Sequence, residues 1–354
     1  KTNINTIHFC NFRRQNSFYW KRDMIIHQCV FSPSFGSIFG ELKGILQLFK
    51  VVKLVRPDLV HIIGPKCILY GGTICRFLRV PGVVFAISGM GYMFTAIDTV
   101  GRRIFSRVVN CINGWILNSD NSRTIVQNED DYARVMAIVK DHDQIVLICG
   151  SGVDLKKYCM VAYRWAKKIV VLPARILHQK GVVEFAKAAR LLRVDYPEWR
   201  FVLVGASDYD SPDAVSMEEL ESWIEEGIVE WWDHQDDMVS IYAISSIVCL
   251  PSYREGLPLC LMEASAVGRP VVTTDTIGCR EAVNVGETGV LVEVRDVSSL
   301  ADGLGRLMDD YAIRKQFGEQ ARKLAERKFD VDLVVQRNLE MYKELTMTSG
   351  GSNY

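Results

Sequence analysis

Two glutamates, Glu255 and Glu263, stand eight positions apart in the second half of the 354-residue sequence. A pair of carboxylates can act as an acid and a base, or can bind hydroxyl groups. The apolar run 247–250 before them predicts a buried strand, and Pro258 is typical of the first position of a helix. Glu255 is therefore expected in a loop and Glu263 more than one turn inside a helix. The alternative is that both are solvated surface charges.

The loop and helix that follow Glu255 resemble a phosphate site in their composition. In an open α/β sheet, ligands bind beyond the carboxyl ends of the strands. A helix that begins near Pro258 offers unpaired amides and a partial positive charge, and Gly256 lets the backbone approach a ligand closely. Glu263 would reach another part of the same ligand, and its two acceptor oxygens suit vicinal hydroxyls such as those of a ribose.

Two cations occupy a second strand-to-helix turn. Arg175 follows the apolar strand predicted at 169–172, and Lys180 precedes the helix predicted at 182–195. Two cations opposite a helix N-terminus could neutralise a diphosphate. The alternative is a pair of solvated surface cations.

Short apolar runs alternate with amphipathic stretches of helical period, which indicates an α/β fold. A polar, irregular stretch at 155–168 suggests a linker between two doubly wound domains, at 1–160 and 161–345, followed by a tail at 346–354. The predicted strands lie at 24–30, 59–63, 83–87, 115–117, 144–147, 169–172, 201–205, 228–231, 247–251, 270–273 and 290–292. The predicted helices lie at 39–55, 71–78, 102–110, 130–136, 182–195, 217–226, 258–267 and 298–309, with a longer helical region to about 345.

The two halves of the chain differ in charge. Residues 1–110 hold 15 of the 42 Lys and Arg but only 4 of the 42 Asp and Glu. A basic first half suggests an anionic partner. No motif for nucleic acid is present, and no apolar run reaches the roughly 18–20 residues of a membrane-spanning helix. An anionic membrane surface or a phosphate-bearing lipid therefore fits best, with an ordinary solvated basic face as the alternative.

Ten cysteines are scattered singly. The absence of paired or regular spacing indicates neither a zinc site nor a disulfide framework, and favours small core residues in a reducing compartment.

Taken together, these segments resemble family 4 glycosyltransferases, above all the bacterial enzymes that extend lipid-linked sugars for capsule, O-antigen or protein glycans. The resemblance covers roughly 47–342 and is densest after Val171. It is carried by Arg175 with Lys180, by the runs PSYREGLP (251–258) and EA (263–264), and by TTD (273–275), GCREAV (278–283), TGVLV (288–292), IVQN (125–128), GSGVD (150–154) and DDM (236–238).

The resemblance implies a GT-B fold, in which two Rossmann-like doubly wound domains face a cleft, and transfer with retention of configuration without a required metal. It implies that Arg175 and Lys180 contact the diphosphate of a nucleotide sugar, with UDP expected from the subgroup. Glu255 would approach the transferred hexose or N-acetylhexosamine, the Gly256–Leu257 backbone the phosphates and sugar, and Glu263 the ribose. The expected acceptor is a polyprenyl-diphosphate-linked sugar or polysaccharide at the inner face of the cytoplasmic membrane.

The first domain is less informative. Ser88, Gly89 and Tyr92 follow a predicted strand and are candidates for the acceptor side of the cleft. Many family members have a histidine where Ser88 falls, so a histidine-based role is not carried over, and His61 is interpreted as a strand residue. Residues 1–22 depart from the family pattern: they are too short and polar for the usual strand, glycine-rich loop and helix, and offer at most a strand at 4–10.

The chemistry expected at Glu255 is front-side transfer, in which the leaving phosphate assists deprotonation of the acceptor hydroxyl. A retaining hydrolase needs two carboxyl groups about 5–5.5 Å apart around the anomeric carbon, and a loop glutamate with a helical one is poorly placed for that. Two alternatives stay open: a UDP-sugar epimerase on the same architecture, and a non-catalytic or truncated protein that binds sugar nucleotides.

Overall fold

A computed structural model describes residues 6–10, 24–28, 38–87, 100–163, 167–208 and 211–349. The strands are β1 (Thr6–Cys10), β2 (Met24–Gln28), β3 (Leu59–Ile63), β4 (Gly82–Ile87), β5 (Ser122–Val126), β6 (Ile145–Leu147), β7 (Ile169–Pro173), β8 (Arg200–Val204), β9 (Glu230–Trp231), β10 (Ile247–Leu250), β11 (Val271–Thr274) and β12 (Gly289–Val292).

The helices are α1 (Ile38–Val55), α2 (Pro65–Cys67), α3 (Thr73–Phe77), α4 (Val100–Leu117), α5 (Glu129–Met136), α6 (Val182–Leu192), α7 (Met217–Glu225), α8 (Met238–Ile244), α9 (Leu259–Val267), α10 (Val297–Asp309), α11 (Tyr311–Leu324) and α12 (Val331–Ser349).

The second domain is built on a six-stranded parallel sheet in the order β12-β11-β10-β7-β8-β9. Counted from β7, this is the order 3-2-1-4-5-6 of a doubly wound dinucleotide-binding fold. Every residue of β7 and of β10 is buried, because helices cover both faces of the sheet. The order reverses between β7 and β10, and a crevice for a ligand is expected beyond their carboxyl ends.

The first domain carries the parallel sheet β3-β4-β5-β6, and β1 pairs with β2 in a separate two-stranded parallel sheet. One apolar cluster fills the space between the four-stranded sheet and α1, α3 and α4. The strand expected near the start of the chain is therefore present as β1. The prediction of two parallel-sheet α/β domains is confirmed.

The chain crosses between the domains twice, and the two crossings are bonded together. The Val153 amide donates to Phe329 O over 2.7 Å, and the Val331 amide donates to Val153 O over 3.0 Å. The second crossing leads into α12, which packs on the first domain's sheet through Met341 and Leu345, against a cluster that includes Val84. Residues 331–345 were predicted to belong to the second domain, with a tail after them, but α12 continues to Ser349 and lies on the first sheet.

Most predicted elements are confirmed within a few residues, but the short helices α2 and α8 were not predicted. The predicted strand at 115–117 is wrong, because these residues form the last turn of α4. Strand β5 was not predicted as a strand. Pro258 is the N-cap of α9 rather than its first residue, with ψ of 121°. Among the helices that the structure describes, none combines the length and apolarity needed to cross a bilayer.

Candidate donor site

The candidate site lies at the point where the strand order of the second sheet reverses. Lys180 follows β7, and Ser252 and Glu255 follow β10, the strand hydrogen-bonded to β7. The carboxyl ends of parallel neighbours meet at one edge of the sheet, so these side chains converge although 75 positions separate Lys180 from Glu255.

Lys180, Glu255 and Ser252 form one hydrogen-bonded cluster. The Lys180 ammonium donates to Oε1 of Glu255, and the Ser252 hydroxyl donates to the same oxygen over 2.7 Å. Both members of the ion pair are largely buried, with side-chain exposures of 20% and 14%. The pair therefore sits in a poorly hydrated environment, where charge interactions are stronger than at the surface. Glu255 is held close to a cation that can also face an anionic ligand.

The turn that carries Lys180 is packed tightly against the β10 loop. Residues His178–Lys180 form one 3₁₀ turn, and Gly181 closes it with φ of +72° as the N-cap of α6. A Cβ on Gly181 would lie 2.1 Å from Pro251 O, so only glycine fits there. The Tyr253 amide donates to Gln179 O over 2.9 Å, and the Ser252 Oγ lies 2.9 Å from the same oxygen. These contacts set the position of Lys180 relative to Glu255.

Glu263 occupies a different environment from Glu255. It lies on α9, which is buried from Leu261 to Val267, and its Oε2 accepts a hydrogen bond from the Tyr242 hydroxyl over 2.9 Å. Burial raises the pKa of Glu263, and the hydroxyls of Tyr158 and Tyr242 partly oppose that rise. The interpretation of Glu263 as an exposed helix charge is excluded by its 9% exposure.

Arg175 is not part of the Lys180–Glu255 cluster in this structure. Its guanidinium donates to Asp208 Oδ2 over 2.8 Å, and its side chain is 58% exposed. A salt bridge with this exposure is weak, so the arginine can exchange Asp208 for another anion at small cost.

Gly256 and Leu257 lie where the two domains touch. Leu257 is buried, and a Cβ on Gly150 of the crossing segment would lie 2.9 Å from its side chain. The carbonyl of Gly256 accepts a hydrogen bond from Asn128 of the first domain over 3.0 Å. The candidate acceptor residues Ser88, Gly89 and Tyr92 lie outside the described residues.

His61 lies within β3, as the sequence analysis interpreted it. Its Nδ1 is 2.5 Å from the Tyr342 hydroxyl on α12. Burial lowers the pKa of His61 to about 4, so the imidazole is neutral at ordinary pH and helps to fix α12 on the first sheet.

No role was predicted from sequence for Ser252, Tyr242 or Asn128. Asn128 carries a local signal, because an asparagine directly before the acidic run at 129–131 is typical of a helix N-cap. Tyr242 has none, since its partner Glu263 is 21 positions away. Among the residues that the structure describes, no three His, Cys, Asp or Glu side chains are grouped so that they could hold a metal ion.

Comparison with known families identifies the class of the second domain. Residues 162–324 match the family described as "Glycosyl transferases group 1". This match covers the six-stranded sheet and the whole Lys180–Glu255–Glu263 site. The protein therefore carries a group 1 glycosyltransferase domain within a GT-B fold, and it is a glycosyltransferase.

Similar proteins and structures extend the match to both domains. The chain is 27% identical over 337 residues to the N,N'-diacetylbacillosaminyl-diphospho-undecaprenol alpha-1,3-N-acetylgalactosaminyltransferase of Campylobacter jejuni, covering 91% of this chain and 86% of that protein. It is 24% identical to the UDP-Gal:alpha-D-GlcNAc-diphosphoundecaprenol alpha-1,3-galactosyltransferase of Escherichia coli, covering 77% and 72% of the two chains. The crystal structure of Anabaena HepE with UDP and glucose shares the fold, with a TM-score of 0.72 at 20% identity, over 90% of this chain and 86% of that one.

Proposed function

We propose that the protein transfers a hexose or N-acetylhexosamine from a UDP-sugar to a sugar carried on a polyprenyl diphosphate, with retention of configuration and without a required metal. The observation that carries the donor part is the meeting of Lys180, Ser252 and Glu255 at the reversal point of the second sheet. The names of the bacterial relatives support the lipid-linked acceptor, and the UDP bound by Anabaena HepE supports the nucleotide.

In this proposal Lys180 and Arg175 neutralise the donor diphosphate. Departure of UDP develops negative charge on the phosphates, and cations and amides that are already in place stabilise it without reorganisation. Lys180 is held in place by Glu255, and the first amides of α9, which lack intrahelical acceptors, face the same end of the sheet. Arg175 would leave Asp208 to join the diphosphate.

Glu255 and Glu263 act on opposite ends of the donor in this proposal. Glu255 is fixed by two hydrogen bonds at the sugar end, and its charge supports the positive character that develops on the sugar. Glu263, fixed by Tyr242, binds the ribose hydroxyls. The acceptor hydroxyl attacks from the face of the leaving phosphate, which takes up its proton. Isolation of a sugar covalently bound to Glu255 would contradict this front-side mechanism.

A donor screen with an undecaprenyl-diphosphate-linked sugar as the acceptor tests the activity. Wild-type protein should transfer from a UDP-sugar, and Lys180→Ala and Glu255→Gln should each reduce the rate by about two orders of magnitude, as expected for loss of a preorganised charged group. The matched control is Lys168→Ala. Lys168 also forms a Lys–Glu pair, with Glu198, but it precedes β7 at the opposite end of the strand and is exposed. Full activity in Lys180→Ala and Glu255→Gln would refute the assignment of the site.

The first domain carries a surface suited to an anionic membrane, which we propose as the docking face. One exposed side of α1 carries leucines and lysines and is continued by aromatic residues of α3 and α4; this basic apolar face consists of Leu42, Lys43, Leu46, Lys50, Lys53, Leu54, Arg76, Phe77 and Trp115. The Arg76 guanidinium lies 4.5 Å from the centroid of the Trp115 ring. Exposed leucines flanked by lysines match the headgroup region of an anionic bilayer, where each Lys contributes about 1 kcal/mol.

Co-sedimentation with vesicles tests this face. Wild-type protein should bind vesicles that contain phosphatidylglycerol more strongly than pure phosphatidylcholine. The double variant Lys50→Glu with Lys53→Glu should lose most of that difference, whereas Lys187→Glu, on an exposed position of α6 in the second domain, should keep it. The proposed face would be contradicted if the double variant kept its preference for anionic vesicles, or if Lys187→Glu lost that preference to the same extent.

A further inference from the structure

Asn128 is a buried residue at the start of α5 with three hydrogen bonds. Its Oδ1 accepts from the Asp131 amide over 2.7 Å, which caps the helix. Its Nδ2 donates to Asp131 Oδ2 and to Gly256 O, each over 3.0 Å. All three partners require the same orientation of the amide, because the reverse orientation would place Oδ1 against two acceptor oxygens. Asn128 therefore presents an N–H group to the second domain.

The carbonyl that Asn128 contacts belongs to the loop that carries Glu255. Gly278, with φ of +82°, packs on the other side of this loop, and a Cβ there would lie 2.3 Å from Gly256 O and 2.4 Å from Glu255 O. The Glu255 amide donates to Ile277 O over 3.1 Å. The Gly256 carbonyl is thus held between Asn128 and Gly278. Because a peptide unit is planar, fixing this carbonyl also fixes the direction of the Leu257 N–H.

A second contact joins the start of α5 to the segment that follows β11. Arg280 donates to Asp130 Oδ2 on α5 over 3.3 Å and to Asp275 Oδ1 in its own domain over 2.8 Å. Both side chains of the interdomain pair are partly exposed, with values of 40% and 34%, so the pair contributes little energy by itself. It does place the start of α5 over the loops that follow β10 and β11.

We propose that Asn128 is a positioning residue for the transfer reaction, through which the first domain orients the Gly256–Leu257 peptide of the donor loop. The inference rests on the proposed function, because it gives that peptide a role in donor binding. When the domains are docked at α5, the peptide is held for the donor phosphates and sugar. When the domains separate, the Gly256 carbonyl loses its hydrogen bond from Asn128, and the Gly256–Leu257 peptide can rotate. Docking of the domains is thereby coupled to the geometry of transfer.

Kinetics of variants at position 128 test the proposal. Asn128→Ser and Asn128→Asp both keep a good N-cap, but serine is too short to reach Gly256, and aspartate presents an acceptor to it. Both variants lose the bond to Gly256 O and also the bond to Asp131 Oδ2. We expect kcat to fall by about tenfold or more in each, which corresponds to the loss of the Gly256 bond alone. The UDP dissociation constant should rise by a smaller factor than kcat falls, since Lys180 and Glu263 are unchanged and only the contact of the Gly256–Leu257 peptide with the phosphates is weakened. The control is Ser216→Ala, which removes the N-cap of α7 in the second domain. It should lower the Tm and leave kcat unchanged.

Hydrogen exchange gives a readout that does not depend on turnover. Peptides covering 252–258 should exchange faster in Asn128→Ser than in wild type, and at the wild-type rate in Ser216→Ala. A wild-type kcat in both Asn128 variants, or a loss of kcat matched by Ser216→Ala, would refute the proposal. If the wild-type protein transfers no sugar, the proposed function fails. In that case, faster exchange in Asn128→Ser would still support the control of the loop by Asn128, and unchanged exchange would reject it.

Discussion

Replacing Glu263 by glutamine should weaken UDP binding and leave the protein at least as stable as wild type. In the proposed site Glu263 binds the ribose hydroxyls with a charged acceptor, and hydrogen bonds to charged groups contribute about 1.5–3 kcal/mol. Loss of that interaction corresponds to an affinity about 10- to 150-fold lower. Glutamine keeps an oxygen for the hydroxyl of Tyr242, which now donates to Glu263 over 2.9 Å.

The sign of the stability change follows from the raised pKa of Glu263. Burial disfavours the charged carboxylate, so the pKa in the folded protein lies above the ordinary 4.5. A raised carboxyl pKa means that the folded state gains stability as the pH falls through that pKa, with the full gain below 4.5. The gain in stability of Glu263→Gln over wild type should thus be greatest near neutral pH and should disappear as the pH falls towards 4.5.

Calorimetry with UDP and 2'-deoxy-UDP tests the role, and thermal unfolding between pH 7 and 4.5 tests the linkage. Wild-type protein should prefer UDP over the deoxy nucleotide, and Glu263→Gln should bind both with similar, weaker affinity. If Glu263→Gln binds UDP as wild type does, or keeps the preference, Glu263 does not hold the ribose. If the Tm of Glu263→Gln lay far below that of wild type at neutral pH, the charge of Glu263 would be needed for folding.

Three further predictions address the cation, the loop and the histidine. Lys180→Ala should weaken UDP more than UMP in calorimetry, because the lysine is assigned to the diphosphate; equal weakening of both would contradict that assignment. Gly278→Ala should lower the free energy of unfolding in urea by about 2 kcal/mol or more, because a left-handed φ costs a non-glycine residue about 1–2 kcal/mol and the new Cβ would also clash with Gly256 O. The control is Gly286→Ala. Gly286 has φ of +76° and open space around it, so only the backbone cost is expected there. For His61 the pKa is lowered to about 4 from 6.5, so folding stability is fully present above 6.5 and is lost as the pH falls towards 4. His61→Gln should reduce that loss of Tm, and an unchanged pH dependence would mean that His61 does not titrate on unfolding.

The second domain could be predicted closely because its strands are buried on both faces. Such strands, like β7 and β10, read as unbroken apolar runs, and the turns after them are marked by Pro, Gly and charge. Lys180 and Glu255 could also be placed in one donor site from sequence, since each follows a buried strand and parallel strands bring their carboxyl ends to one edge; the contact between the two side chains was not predicted. The assignment of Arg175 to the diphosphate stays a prediction. The sequence could not reveal its pairing with Asp208, which lies 33 positions away in the loop after β8.

The first domain was harder for physical reasons. Trp115, Ile116 and Leu117 form an apolar triplet that looks like a short strand, but Ile116 and Leu117 are buried at the end of a helix. Strand β5 (Ser122–Val126) begins with three polar residues, so it lacks the apolar run by which the other strands were predicted. The return of α12 to the first sheet depends on long-range packing, because an amphipathic helix does not specify which of two sheets it covers. Ser88, Gly89 and Tyr92 lie outside the described residues and stay predictions.

The paired crossings around Val153 have a mechanical consequence. Two segments that run side by side and exchange hydrogen bonds behave as a two-stranded strap, which resists sliding and stretching but permits bending about its own short length. Gly152, with φ of +77°, packs against Val331 within this strap and leaves no room for a larger residue. A change in the relative orientation of the domains must therefore bend this strap. Because α12 belongs to the first sheet, cutting the chain at 161 would strip Met341 and Leu345 from their partners, so neither half is a free-standing module.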